Sequence, residues 1–124
     1  MTFSELNIDQ DMVDQLAAKG IIEPFPIQTQ TIPLALTGQD IIGQAKTGTG
    51  KTLGFGLPLI QRLGPNPEPG VKALVVVPTR ELAIQVYEDL ETAAAGRPTS
   101  IASIYGGKAY EGQIAQLKGG AQIV

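Results

Sequence analysis

The sequence contains no cysteine and no histidine. Without thiols there is no disulfide, no thiolate metal site and no cysteine nucleophile. Without imidazole, Ser-His-Asp and Cys-His catalysis, histidine zinc sites and imidazole acid–base chemistry are excluded as well. No run of 18 apolar residues occurs, and the mixed, acidic opening Met1–Asp11 does not read as a secretory leader. A soluble, cytoplasmic protein is the expectation. Positive charge is also short: 9 Lys+Arg stand against 12 Asp+Glu, a net charge of −3. A basic nucleic-acid footprint is therefore missing at the level of the whole chain, and any phosphate must be gripped locally, by backbone amides. What is present is 124 residues with 43% hydrophobic and 17% charged side chains. That is one domain's worth of chain with enough apolar content for a core.

Glycine (15) and proline (9) punctuate the chain. Residues Ile8–Lys19 have a helical period, with Ile8, Met12 and Leu16 on one face; Asn7 or Asp9 can cap the start and Gly20 the end. Pro24-Phe25-Pro26 imposes an extended turn, and a second helix from about Pro26 to Gly38 is expected to break or restart at Pro33. A short strand is predicted over Asp40–Gln44, a glycine-bearing loop over Ala45–Gly50 and a helix over Lys51–Leu63. Gly64–Gly70 reads as an exposed loop. The run Ala73–Val77 suits a strand buried on both faces. Thr79 can cap a helix running to about Ala95, with Leu82, Val86 and Leu90 inward. A third strand (Ser100–Tyr105), a short helix (Tyr110–Lys118) and the opening of a fourth strand (Gln122–Val124) follow. The βαβαβαβ alternation implies an α/β fold, with a parallel sheet and helices on its faces.

The most informative stretch is Ala45-Lys46-Thr47-Gly48-Thr49-Gly50-Lys51-Thr52, set between a predicted strand and a predicted helix. That context is the one a phosphate-binding P-loop requires. Gly48 and Gly50 allow successive N–H groups to turn inward, and the helix behind them adds its unpaired amides and positive dipole end. Lys51 can reach the outer phosphates, and the Thr52 hydroxyl can ligate a phosphate-bound Mg2+. Ala45 replaces the first glycine of the general pattern. The plain alternative is a glycine-rich turn with one solvated lysine.

Read with three further stretches, this loop resembles the DEAD-box family of ATP-dependent RNA helicases. Gly20-Ile-Ile-Glu-Pro-Phe-Pro-Ile-Gln28 resembles its Q motif, and Phe3 stands where the family places an isolated aromatic. Ala45–Thr52 is similar to its motif I, in which the first residue is usually alanine. Pro78-Thr79-Arg80-Glu81-Leu82-Ala83 resembles motif Ia, and Gly106-Gly107 the GG element after the next strand. Two positions depart from the family pattern. Ile21 stands where an aromatic is usual, and Phe25 where a small hydroxyl residue would cap the helix.

The resemblance implies a RecA-like P-loop NTPase domain, of which this chain is the N-terminal part: a Q-motif helical region over 1–38 and a P-loop βαβαβαβ portion over 39–124. It implies that Gln28 reads adenine through its amide, that Phe3 stacks on the base, and that Thr47, Gly48, Thr49, Gly50, Lys51 and Thr52 hold the triphosphate of ATP with its Mg2+. Pro78, Thr79, Arg80, Gly106 and Gly107 would touch the RNA backbone without reading sequence. Each has a plainer reading. Gln28 would be a solvated helix residue, Phe3 a hydrophobic anchor, Arg80 a partner of Glu81 or Glu88, Gly106-Gly107 a tight turn, and Lys108 a surface charge.

Phosphate binding is not hydrolysis, which needs an acidic residue at the end of a second buried strand. The run Ala73–Val77 ends in Pro78, Ser100–Tyr105 ends in Gly106, and Glu88, Asp89 and Glu91 sit mid-helix. The resemblance places the Asp-Glu-Ala-Asp and Ser-Ala-Thr motifs, and a second domain, beyond Val124. The 124-residue chain is therefore expected to bind adenine nucleotide weakly and not to hydrolyse it. Strands supplied later would leave the sheet incomplete here, so a dimer or swapped oligomer is expected. A non-helicase P-loop NTPase and a non-catalytic RNA- or protein-binding module stand as alternatives.

Overall fold

The chain enters through a tight 3-10 turn, Ser4–Leu6, closed by Asn7 in the left-handed region (φ 68°). In the computed structural model, which describes residues 1–46 and 50–124, five α-helices follow. They are α1 (Gln10–Ala18), α2 (Pro26–Leu36), α3 (Lys51–Leu63), α4 (Arg80–Ala93) and α5 (Tyr110–Lys118). The spans of α3 and α5 coincide with the sequence expectation. Helix α2 is unbroken at Pro33. That residue is exposed, so the carbonyl that its missing N–H leaves free can be hydrated.

Helix α3 lies between α2 and α4, and α1 packs on α4. One apolar cluster joins them. It runs from Phe3, Leu6 and Ile8 through Met12, Leu16 and Ile32 to Leu57, Ile60, Leu90, Ile101 and Ile123. The first residues are tied down twice. The Gln61 amide accepts from the Asp9 N–H and donates to the Asn7 carbonyl, both at 2.7 Å. Arg97, whose side chain is 3% exposed, reaches Asp9 at 2.7 Å and Asp11 at 2.8 Å. The Asp9 carboxylate therefore serves Arg97 and makes no capping bond to α1, although Asp9 is its N-cap residue.

The expected parallel sheet is present only as isolated pairings. Among the described residues there is no continuous strand. Two isolated parallel bridges, Ala73 to Ile123 and Ile101 to Ile123, place the segment 121–124 between the other two. Hydrogen bonds from Lys72 to Gln122, from Val75 to Val124 and from Ala102 to Ile123, at 2.8–2.9 Å, hold this arrangement. Residues 40–44 take part in no bridge, and Ile42 is fully exposed. The run Ala73–Val77 is not buried on both faces: Ala73, Val75 and Val77 are half-buried while Leu74 and Val76 are 72% and 81% exposed. The reason is a shortage of neighbours. A parallel ladder extends only as far as adjacent chain accompanies it, and the pairing from 121–124 reaches no further than Val75. Leu82, expected inward, is 38% exposed at the open start of α4.

Candidate nucleotide and RNA site

Pro24 and Pro26 hold the chain extended at Phe25 (φ −73°, ψ 159°), which becomes the N-cap residue of α2, with Pro26 at its first turn. No hydroxyl is available there to cap the helix. Gln28, three residues on, compensates by folding back, its side-chain carbonyl accepting from the Phe25 N–H at 2.9 Å. The other end of the same amide donates to the Gly50 carbonyl at 2.9 Å, and Gln28 is only 2% exposed. Gln28 is thus a bridge between the start of α2 and the start of α3, not the solvated residue of the plain reading.

Gly50 is the N-cap residue of α3, with φ 77° and ψ 31°, in the left-handed region that glycine tolerates best. A side chain there would run into the Gln28 amide and the Phe25 ring. Among the described residues no side chain caps α3. The amides of its first turn therefore have no helical acceptor, and they sit at the positive end of the helix dipole. Lys51 is exposed and Thr52 half-buried on that turn. Lys51 also lines a cleft of about 700 Å³ between α2 and α3, with Arg62 and Lys72 as further cations. The donor set fits a polyanion: main-chain amides, one lysine and one hydroxyl. Among the described residues no group of three or more acidic, His or Cys side chains could hold a metal ion by itself. Thr47, Gly48 and Thr49 lie outside the described residues. Phe3, expected on the base, is instead fully buried in the core cluster and exposes no ring face.

One carboxylate that the sequence reading set aside as mid-helix stands at the site. Asp89, on α4, faces the Thr52 hydroxyl across the contact of α3 with α4. Burial is the main influence on its carboxyl and raises the pKa above the ordinary value, while the Thr52 hydrogen bond pulls the other way. A search for an acid at a strand end passes over a mid-helix aspartate. Its signal is spatial: Leu90, the next residue, packs at Gly56, one turn beyond Thr52.

The second group of expected residues also comes together. The Thr79 hydroxyl accepts from the Leu82 N–H at 3.1 Å and caps α4, so that oxygen is already engaged. Arg80 is exposed and has no ion pair among the described residues, including with Glu81 or Glu88. Its guanidinium lies over Gly107 (φ 82°), 3.2–3.4 Å from where a β-carbon would stand. Pro78 and Gly106 are exposed beside them. Gln113 fixes this loop by accepting from the Tyr105 N–H at 3.0 Å and donating toward the Lys108 and Ala109 carbonyls at 3.2 and 3.3 Å.

Residues 25–124 match the family model described as DEAD/DEAH box helicase. The whole chain is 48% identical to the DEAD-box ATP-dependent RNA helicase CshA of Streptococcus pneumoniae and 44% identical to that of Bacillus subtilis. It spans about a quarter of the length of these curated relatives (24% and 25%). A crystal structure of a DEAD box protein from the hyperthermophile Methanococcus jannaschii aligns with a TM-score of 0.91 at 43% identity, covering 100% of this chain and 34% of that one. The RNA helicase Prp28 from Chaetomium thermophilum, bound to ADP, aligns at 0.87 and 38% identity, covering 96% of this chain and 30% of that one.

Proposed function

The chain belongs to the DEAD/DEAH box helicase family, and on that premise we propose that it is the adenine-nucleotide-binding portion of an ATP-dependent RNA helicase. The intact enzyme would couple ATP hydrolysis to RNA duplex unwinding or remodelling. The observation that carries this reading is the hydrogen bond from Gln28 to the Gly50 carbonyl. It links a side chain suited to a purine edge to the uncapped helix start suited to phosphates. A purine's N6/N7 edge offers a donor beside an acceptor, the complement of a carboxamide. Each of the two Gln28 amide atoms makes one bond within the chain and keeps one further hydrogen or lone pair.

In this reading Thr47, Gly48, Thr49, Gly50 and the first amides of α3 hold the phosphates, with Lys51 on the outer ones. Thr52 offers its hydroxyl to Mg2+ carried by the nucleotide, and Asp89 steadies that hydroxyl. The bound cation supplies charge neutralisation at the phosphates. Phe3 braces the N-terminal turn from within the core; stacking on adenine would require its ring to leave that position. Pro78, Thr79, Arg80, Gly106 and Gly107 form a backbone-contacting RNA face. The fold is read as part of a RecA-like domain whose parallel sheet these segments begin. Exposed Ile42, Leu74 and Val76 support self-association of the isolated chain, and sedimentation showing only monomer across a wide concentration range would remove that element. The chain by itself hydrolyses no ATP, and its setting is cytoplasmic. Among the described residues no helix is long and apolar enough to cross a membrane.

Titration with fluorescent ATP and GTP analogues tests the nucleotide reading. ATP binds more tightly than GTP, and Lys51→Ala weakens ATP by about ten- to a hundredfold, the value of a charge-assisted contact. Equal affinity for the two nucleotides, or indifference to Lys51→Ala, refutes it.

A further inference from the structure

The loop after residue 105 carries more chemistry than a backbone contact needs. Tyr110 opens α5 and is 76% exposed. It walls a cleft of about 420 Å³ whose floor is Ile104, Ile114 and Leu117, each roughly 40–50% exposed. Tyr105 also lines the cleft, and the Lys108 ammonium stands 5.3 Å from the centre of its ring. One aromatic is thus engaged by a cation, while the other is left open. Gln113, only 4% exposed, pins the loop from beneath. Arg80 lies over Gly107 at the edge of the same loop. Two cations, one free ring and an apolar floor therefore share one end of the molecule, in a chain whose net charge is −3.

We propose that this cleft takes one base of a single-stranded RNA, stacked on Tyr110, while the adjoining phosphates lie at Arg80 and Lys108. The proposal rests on the RNA-facing reading of Arg80 and Gly106-Gly107. It adds a contact to a base where that reading has contacts to backbone alone. Every base has a π-face, so such stacking strengthens binding without imposing a sequence. The ring needs little ordering on binding, because the loop beside it is already held by Gln113. The chemistry also distinguishes a base from an apolar protein segment, which would fill the cleft without using either cation.

Fluorescence anisotropy at low salt, with the 124-residue chain, tests this. The probes are a labelled oligoadenylate and a ribose-phosphate strand of equal length that lacks bases. Tyr110→Ala is expected to weaken oligoadenylate about tenfold and to leave the abasic strand unchanged. Tyr110→Phe keeps the ring and should retain affinity. Arg80→Ala should weaken both strands alike. Equal loss on both strands, or none on either, with Tyr110→Ala overturns the stacking proposal while leaving the backbone reading intact. Arg80→Ala without effect on either strand overturns the backbone reading and this proposal with it. Absence of binding by the unsubstituted chain overturns both. Tyr110 is exposed, so its replacement should not disturb the fold, and an unchanged melting temperature verifies this.

Discussion

Gln28 separates two uses of one side chain, and its replacement can tell them apart without any nucleotide present. Gln28→Ala removes the bond that caps the start of α2 and the bond that anchors the Gly50 carbonyl. Each such neutral bond is worth about 1 kcal/mol net, and a buried partner left unsatisfied adds to that. Gly50 is only half-buried and Phe25 is 50% exposed, so water partly repairs both groups. The loss comes to about 2–3 kcal/mol. For a chain of this size that is a fall in melting temperature of roughly 8–12 °C. Urea unfolding followed by helical circular dichroism measures it directly. Gln30→Ala on the same helix is the control; Gln30 is exposed, and its replacement should stay within about 0.5 kcal/mol of the parent. Gln28→Glu sharpens the test. A carboxylate can still accept from Phe25 but offers nothing to the Gly50 carbonyl, and burial raises its pKa above the unfolded value. Stability is then present in acid, where the protonated group can donate, and is lost as pH rises through the raised folded value. If Gln28→Ala unfolds within about 0.5 kcal/mol of the parent, Gln28 does not hold the two helix starts together and the reasoning fails.

Asp11→Asn should cost about 1–2 kcal/mol at neutral pH, because it weakens the paired hydrogen bonds to Arg97 at a half-exposed site. Those bonds hold the Asp11 carboxyl below its ordinary value. The stability is therefore present above the unfolded carboxyl range near pH 4 and is lost as pH falls through the lower folded value. Melting curves of parent and variant should converge in acid; a pH-independent gap would count against the pairing. Asp89 has the opposite sign. Its pKa is raised, chiefly by burial, so stability is fully present below the unfolded carboxyl value and is lost as pH rises through the folded one. Asp89→Asn should stabilise the chain by no more than about 1 kcal/mol at pH 7 and by nothing in strong acid, and a lower melting temperature at pH 7 would contradict this. Thr79→Ala removes the cap of α4 and should cost about 1 kcal/mol in urea unfolding, whereas Thr79→Ser should restore it.

Helices were legible wherever glycine, proline and apolar period agreed. Lys51–Leu63 and Tyr110–Lys118 stand where the spacing put them, even though α3 carries Gly54, Gly56 and Pro58. The strands were not, because an apolar run such as Ala73–Val77 specifies readiness to pair, while pairing depends on chain that lies beside it in space. Leu74 and Val76, exposed on the uncovered face, have the composition of a buried strand without its neighbours. Of the candidate site, the helix start at Gly50, Lys51 and Thr52 was legible, and Arg80 at the start of α4 meets Gly107.

What composition and spacing could not reveal is the part played by glutamine. Gln28 joins Phe25 to Gly50, Gln61 clasps Asn7 and Asp9, and Gln113 holds Tyr105, Lys108 and Ala109. Gln122 accepts from Ser100 at 2.7 Å and donates to the Glu68 carbonyl at 3.1 Å. In every case one amide serves backbone groups in loops or at the ends of elements rather than within a helix or strand. The physical reason is that a carboxamide carries a peptide's donor and acceptor on a flexible stem, so it can substitute for a missing β-partner wherever irregular chain is buried. Gln28 and Gln61 carry no sequence signature for their longer reach, because that partner is distant along the chain: 22 residues for Gln28 to Gly50 and 54 for Gln61 to Asn7. Both proposed functional surfaces adjoin such clasps, Gln28 at the start of α3 and Gln113 beneath the RNA-facing loop. Loops that must present free amides or glycine backbone to a ligand cannot use those same groups to hold themselves in place. Their rigidity has to come from a side chain on an adjoining helix, and that is where Gln28 and Gln113 stand.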